Sequence, residues 1–161
     1  RLQCDELAIE EEKKRSGFSI FLDLIFKRRP KLKRYTTDVS AYDNFILIAP
    51  IWAGKIAMPM LSFLQQERKN IRRYAFITLC GGVAGQKEKI EDFLASTMET
   101  RPVVVEELWV NDLLTPEKRD KVKYTTPYRV QAEDWQIFGP KIDRFIKAAI
   151  PSVAKKVEVT P

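Results

Sequence analysis

The chain has 161 residues, 45% of them hydrophobic and 31% charged, the profile of one globular domain with a single core. It contains no histidine, which removes the commonest general base, the commonest metal ligand and every Ser–His or Cys–His nucleophile pair, so hydrolase chemistry is disfavoured. Its two cysteines, Cys4 and Cys80, have neither the spacing of a disulfide framework nor that of a metal site, and no apolar run reaches the roughly 18 residues of a membrane span; a reducing cytoplasm is the expected home.

Taken in chain order, Leu2 to Ile9 is apolar enough for a strand, followed by a polar exit from Glu10 to Arg15. Phe18, Phe21, Leu22, Ile25 and Phe26 recur at helical spacing and predict a helix over Phe18 to Phe26, started at Ser16-Gly17 and ended by Pro30. Asn44 to Pro50 (NFILIAP) is too apolar for a half-exposed strand and has the look of one covered on both faces. Ala57 to Gln66 predicts a helix with Met60, Leu61, Phe63 and Leu64 inward and Pro59 in its first turn. Tyr74 to Cys80 (YAFITLC) is a second continuous apolar strand, stopped by Gly81-Gly82. Lys87 to Met98 is an amphipathic helix with Ile90, Phe93 and Leu94 inward, and Val103 to Val110 a further strand. Asn111 to Asp134 is a polar loop with a short helix near Glu117 to Lys121. Trp135 to Ile150 closes the chain's pattern as a helix with Ile137, Phe138, Ile142, Phe145, Ile146 and Ala149 inward; Pro140 kinks it or sits in its first turn.

Strands alternating with helices predict an α/β fold: a parallel sheet covered on both faces, with right-handed crossovers. Ligands of such sheets bind beyond the carboxyl ends of the strands, so the residues after each strand are the place to look. Two glycine-containing loops stand there: Pro50-Ile51-Trp52-Ala53-Gly54-Lys55, and Cys80-Gly81-Gly82-Val83. A Trp held at that rim suits stacking on a flat ring, and the glycines let backbone amides approach a ligand closely. Each feature also has a plain structural explanation: a Trp capping the core, glycines ending a strand, Cys80 as a small buried hydrophobe, Lys55 as a solvated lysine.

The net charge of +6 is not spread evenly. Lys27, Arg28, Arg29, Lys31, Lys33 and Arg34 form one cluster, and Arg68, Lys69, Arg72 and Arg73 another. Either face simply meets water, or attracts an acidic protein or anionic membrane. Nucleic acid is not expected, because no aromatic side chains interleave with the clusters.

The stretch YDNFILIAPIWAGKIAMPMLSFL and then RRYAFITLCGG resembles the flavodoxin family and its flavodoxin-like quinone reductase relatives. The specific likeness runs from about Asp43 to Leu94, with a looser match upstream, where KRSGFSIFLDLIFKRRPKLKR is similar to the family's second helix. The resemblance implies a flavodoxin-like three-layer sandwich over residues 1–161 and an FMN cofactor. It places the first isoalloxazine loop on Pro50, Ile51, Trp52, Ala53, Gly54 and Lys55, and the second on Cys80, Gly81, Gly82 and Val83. Trp52 would stack on the flavin, disfavouring its electron-rich reduced form. The function so implied is an FMN-binding electron-transfer protein or oxidoreductase, with a redox partner protein or a small quinone-like acceptor. No residue is assigned a catalytic role and no metal is expected.

Two features depart from the family pattern. The family opens with a strand and a T-x-T-G-N-T-type phosphate loop, whereas this sequence opens at what resembles the second strand. In the order 2-1-3-4-5 the first strand is central, and its absence leaves a gap of about two 4.8 Å spacings. The expectation is a strand–loop–helix of roughly 30 residues ahead of Arg1, the alternatives being direct pairing of the flanking strands or a strand from a partner chain. The second departure is charge: soluble electron shuttles of the family are acidic. A cofactor-less binding module acting through its basic surface therefore stands as the alternative function, and a homodimer is left open.

Overall fold

The computed structural model describes residues 4–13, 29–52, 54–81 and 85–150. The predicted helix from Phe18 to Phe26, and with it Lys27 and Arg28, lies outside the described residues.

The fold is α/β: a parallel sheet flanked by helices. Three strands, β1 (Phe45–Ile48), β4 (Tyr74–Cys80) and β5 (Val105–Trp109), lie side by side in the order β1-β4-β5, all parallel. Phe45 stands opposite Tyr74 and Ile48 opposite Ile77; Phe76 stands opposite Val105 and Cys80 opposite Trp109. A small antiparallel hairpin, β2 (Ile51–Trp52) and β3 (Lys55–Ile56), follows β1 directly. The helices are α1 (Met58–Glu67), α2 (Lys87–Met98), the single-turn α3 (Val122–Thr125) and α4 (Trp135–Ala149).

Strand periodicity sorts the sheet's side chains into two layers. Leu47, Tyr74, Phe76 and Val105 face α1 and α2, whose Met58, Met60, Leu61, Phe63, Leu64, Ile90, Leu94 and Met98 complete the larger cluster. Leu64, Phe76 and Leu94 are wholly excluded from water. Each such side chain contributes about 1.5–3 kcal/mol by burial. Ala75 and Ile77 face the other way, against Phe145 and Ala149 of α4, with Ile46, Val104, Leu108, Ile142 and Ile146 at the margin. The two edges of the sheet differ. β5 carries Glu106 and Glu107, the charged residues that keep an edge from pairing, while β1 reads FILI with no charge, and Ile48 is 71% exposed on the α4 face.

Most predicted elements form within a residue or two of expectation. Pro59 lies in the first turn of α1, where its missing N–H costs nothing. Pro140 lies inside α4, and the helix continues past it to Ala149. Two predicted core residues are on the surface: Phe93 is 43% exposed and Ile137 46%. In α2 the covered stripe is Ile90, Leu94 and Met98, a strict four-residue step that leaves Phe93 on the flank. In α4 the face toward the sheet is centred on Phe138, Phe145 and Ala149, so Ile137 is turned out.

The predicted first strand does not join the sheet. Cys4 to Ile9 form no strand; Leu7 and Ile9 instead pack on the margin of the larger core. Among the described residues this region forms a bridge between Glu11 and Leu32, with Glu12 N–H donating to the Lys31 carbonyl and Lys33 N–H to that of Glu10. The physical reason is the neighbouring place in the sheet: among the described residues no strand lies beside the outer edge of β1, so none of them stands within hydrogen-bonding reach to carry the sheet on to Cys4 to Ile9.

Candidate functional site

The candidate site is the rim at the carboxyl ends of β1 and β4. The chain leaves β1 with Ala49 N–H on the Ile77 carbonyl, then folds back at once. Ile51 stands opposite Ile56, and Trp52 opposite Lys55. Ile56 is buried and Ile51 packs on the core margin, so these two apolar residues pin the hairpin's base while its tip stays at the rim. The Ala57 N–H donates to the Pro50 carbonyl at 3.1 Å and closes the loop into the start of α1. Gly54, at φ +73°, takes the left-handed conformation that this two-residue turn demands.

The second loop begins as β4 ends. Cys80 is 2% exposed, its thiol 3.8 Å from the Leu108 carbonyl. Burial, then the Glu107 and Asp112 carboxylates, pushes this thiol up to about 11 against the opposing pull of Lys141. It is therefore a neutral core group at working pH, and only its backbone can serve a ligand. Gly81 follows, half-buried, where a β-carbon would stand 3.4 Å from the Thr125 carbonyl of α3. The loop ends at Gln86, which starts α2.

The two loops meet. A β-carbon on Gly54 would stand 3.5 Å from the side-chain oxygen of Gln86, so the hairpin tip and the entry to α2 are in contact on one rim. Gln86 is held in turn from below: its backbone N–H donates to Glu107 Oε1 at 3.2 Å, which gives the N-terminus of α2 an acidic partner from β5.

A third wall comes from the segment after β5. Asn111, almost fully buried, donates through Nδ2 to Asp120 Oδ1 at 2.8 Å and accepts from the Asp120 N–H at 3.1 Å. Asp120 itself is left-handed at φ +58°. Lys141 of α4 reaches Asp112 at 2.6 Å. These bonds fold the predicted loop into 3-10 turns at Val110–Leu113 and Pro116–Lys118, then α3, which places the buried Thr125 over Gly81.

Of the residues singled out by sequence, Pro50, Ile51, Gly54, Lys55, Cys80 and Gly81 are brought to this rim. Pro50, Gly54 and Lys55 are exposed there. Trp52 is described through its backbone in β2, opposite Lys55. Ala53, Gly82 and Val83 lie outside the described residues. Sequence reading missed Gln86, Glu107 and Thr125, which tie the loops together. No local sequence pattern marks them, since the contacts they make join residues far apart in the chain. Among the described residues no cluster of three or more acidic or thiol side chains could hold a metal ion. No helix there is long and apolar enough to cross a membrane.

No protein-family model matches this chain, and no curated protein does. Among solved structures, the NMR structure of the apo form of the flavoprotein from Lactobacillus acidophilus NCFM is similar to it at 20% sequence identity and a TM-score of 0.46, covering 62% of this chain and 69% of that one.

Proposed function

We propose that this domain binds FMN at the carboxyl rim of its sheet and serves as an electron-transfer protein or flavin-dependent oxidoreductase. One observation carries the reading: the hairpin that bears Gly54 and the start of α2 at Gln86, which follows β4, lie on the same rim and touch. Had they lain on opposite rims, no single flat cofactor could meet both.

The residues present fit a flat ring. A left-handed glycine at the hairpin tip and Gly81 at the end of β4 bring bare backbone to the rim, with Gln86 beside the first and Thr125 over the second. In this reading Trp52 stacks on the ring, the backbone of Ala53 and Gly54 meets its polar edge, and Gly81 to Val83 cover its pyrimidine side. When bound, the flavin supplies the electron chemistry; the protein's part is to hold and shield the ring.

The test is titration of FMN into the purified chain, followed by flavin fluorescence, with Trp52→Phe and Trp52→Ala beside the parent. Saturable quenching that weakens on Trp52→Ala and largely survives in Trp52→Phe is expected. Flavin fluorescence that never changes, or changes equally in all three proteins, would sink the proposal.

A further inference from the structure

The two basic clusters, more than thirty residues apart in sequence, form one surface. Residues 29–35 run along α1. Ser62 Oγ donates to the Pro30 carbonyl at 2.9 Å, Arg29 donates to Gln65, and Tyr35 donates to Glu67. Leu32 is buried beneath, within the larger core, and fixes the segment there. Because α1 runs from the carboxyl rim down to the start of β4, its last turn and Arg68 to Arg73 lie at the amino edge of the sheet. Arg29, Lys31, Arg34, Lys69 and Arg72 are all exposed on this end.

The local acids neutralise it only in part, although Glu11 and Glu12 lie on the backbone beside Leu32 and Lys31. Glu10 is taken by Lys33 at 2.6 Å and Glu99 by Arg68 at 2.7 Å. Glu67 accepts from Tyr35 and from Asn70. Lys31, Arg34, Lys69 and Arg72 make no ion pair among the described residues.

We propose that this amino-edge surface docks the domain on an anionic membrane. Residues 29–35 and 65–73 include no large exposed apolar side chain, the central anchor on which a specific protein interface is built. What they offer is diffuse positive charge, which suits a sheet of anionic headgroups. In the sequence, the basic run directly follows the apolar spacing of Phe18, Phe21, Leu22, Ile25 and Phe26, a pairing that favours a bilayer over a soluble acidic partner. The surface lies at the opposite end of the sheet from the glycine loops, so docking leaves that rim facing away from the lipid. The proposal is independent of the flavin reading.

The test is co-sedimentation of the full chain with phosphatidylcholine vesicles, with and without phosphatidylserine, and a variant reversed at four positions: Lys31→Glu, Arg34→Glu, Lys69→Glu and Arg72→Glu. Binding is expected only with phosphatidylserine, and it is expected to vanish at 1 M salt, where screening acts within about 3 Å. At about fivefold per basic side chain, the reversed variant is expected to bind about two orders of magnitude or more weakly. A far-ultraviolet spectrum and melting curve matching the parent's show that the variant is folded; if it is not, the single reversals are read instead. Undiminished binding by the folded variant, equal binding to phosphatidylcholine alone, or tighter binding to polyglutamate or duplex DNA would overturn the proposal.

Discussion

The side-chain oxygen of Gln86 lies 3.5 Å from the point where a β-carbon of Gly54 would stand, and this contact joins the two rim loops. It makes Gly54 sensitive for two reasons at once. Its φ of +73° disfavours any residue with a β-carbon, by roughly 1–2 kcal/mol. The added methyl would also sit against Gln86. Gly54→Ala is therefore expected to lower stability by about 1–2 kcal/mol in urea denaturation. Gly54→Asn, which tolerates the left-handed region, is expected to lose less. Equal losses in the two variants would show that backbone conformation is not the cause.

Glu107 holds the other side of the same joint. Its carboxylate accepts the Gln86 N–H at the start of α2, which has no side-chain cap of its own. Glu107→Ala is expected to cost about 0.5–2 kcal/mol, the usual range for a lost N-terminal cap. Glu107→Gln keeps an acceptor oxygen and is expected to recover more than half of that. Chemical denaturation of the three proteins decides it; a glutamine variant no better than alanine would mean the charge, not the hydrogen bond, is what matters.

How much of this was readable beforehand follows from what periodicity encodes. Tyr74 to Cys80 and Lys87 to Met98 were legible to the residue, because a buried strand reads as one apolar run and a half-buried helix as a regular stripe. The hairpin at Ile51–Ile56 was not, since a strand of two residues has no period to detect; only the Ala53-Gly54 pair hinted at a turn. The inward assignments of Phe93 and Ile137 failed for a related reason. Helical spacing fixes which residues share a stripe, but the angle at which the stripe meets the sheet is set by tertiary packing. The joint through Gln86, Glu107 and Thr125 joins residues that are distant in sequence, and no local pattern records it.

The sheet's two faces predict opposite outcomes at adjacent residues of β1. Leu47 is 5% exposed and packed among α1 side chains, whereas Ile48 lies on the α4 face and is mostly bare. Leu47→Ala is expected to destabilise by about 2–5 kcal/mol, the cost of a cavity in a packed core. Ile48→Thr, which trims apolar surface already in water and keeps a β-branched residue in the strand, is expected to stay within about 0.5 kcal/mol. Urea midpoints measure both. A large loss at Ile48 in the purified chain would mean that its exposed face is covered in solution.

The buried thiol of Cys80 sets an alkaline limit. Its folded value of about 11 lies above the ordinary cysteine value of 9.0, so the folded protein holds this proton more tightly than the unfolded chain does. The stability it lends is fully present below pH 9 and falls as pH rises towards 11, because the unfolded chain ionises first. The loss is expected to be about 2 kcal/mol across that window. Tyr74, pushed up to about 12 by burial and by Glu91, acts in the same direction from pH 10 upward. Urea midpoints at pH 8, 9, 10 and 11 are expected to fall in the parent, and less steeply over pH 9–10 in Cys80→Ala, which removes the first titration. The same burial predicts thiol reactivity: at pH 8 a disulfide reagent should label exposed Cys4 promptly and Cys80 only after denaturation. Prompt labelling of both in the native chain would place Cys80 within reach of solvent and remove the basis for the alkaline slope.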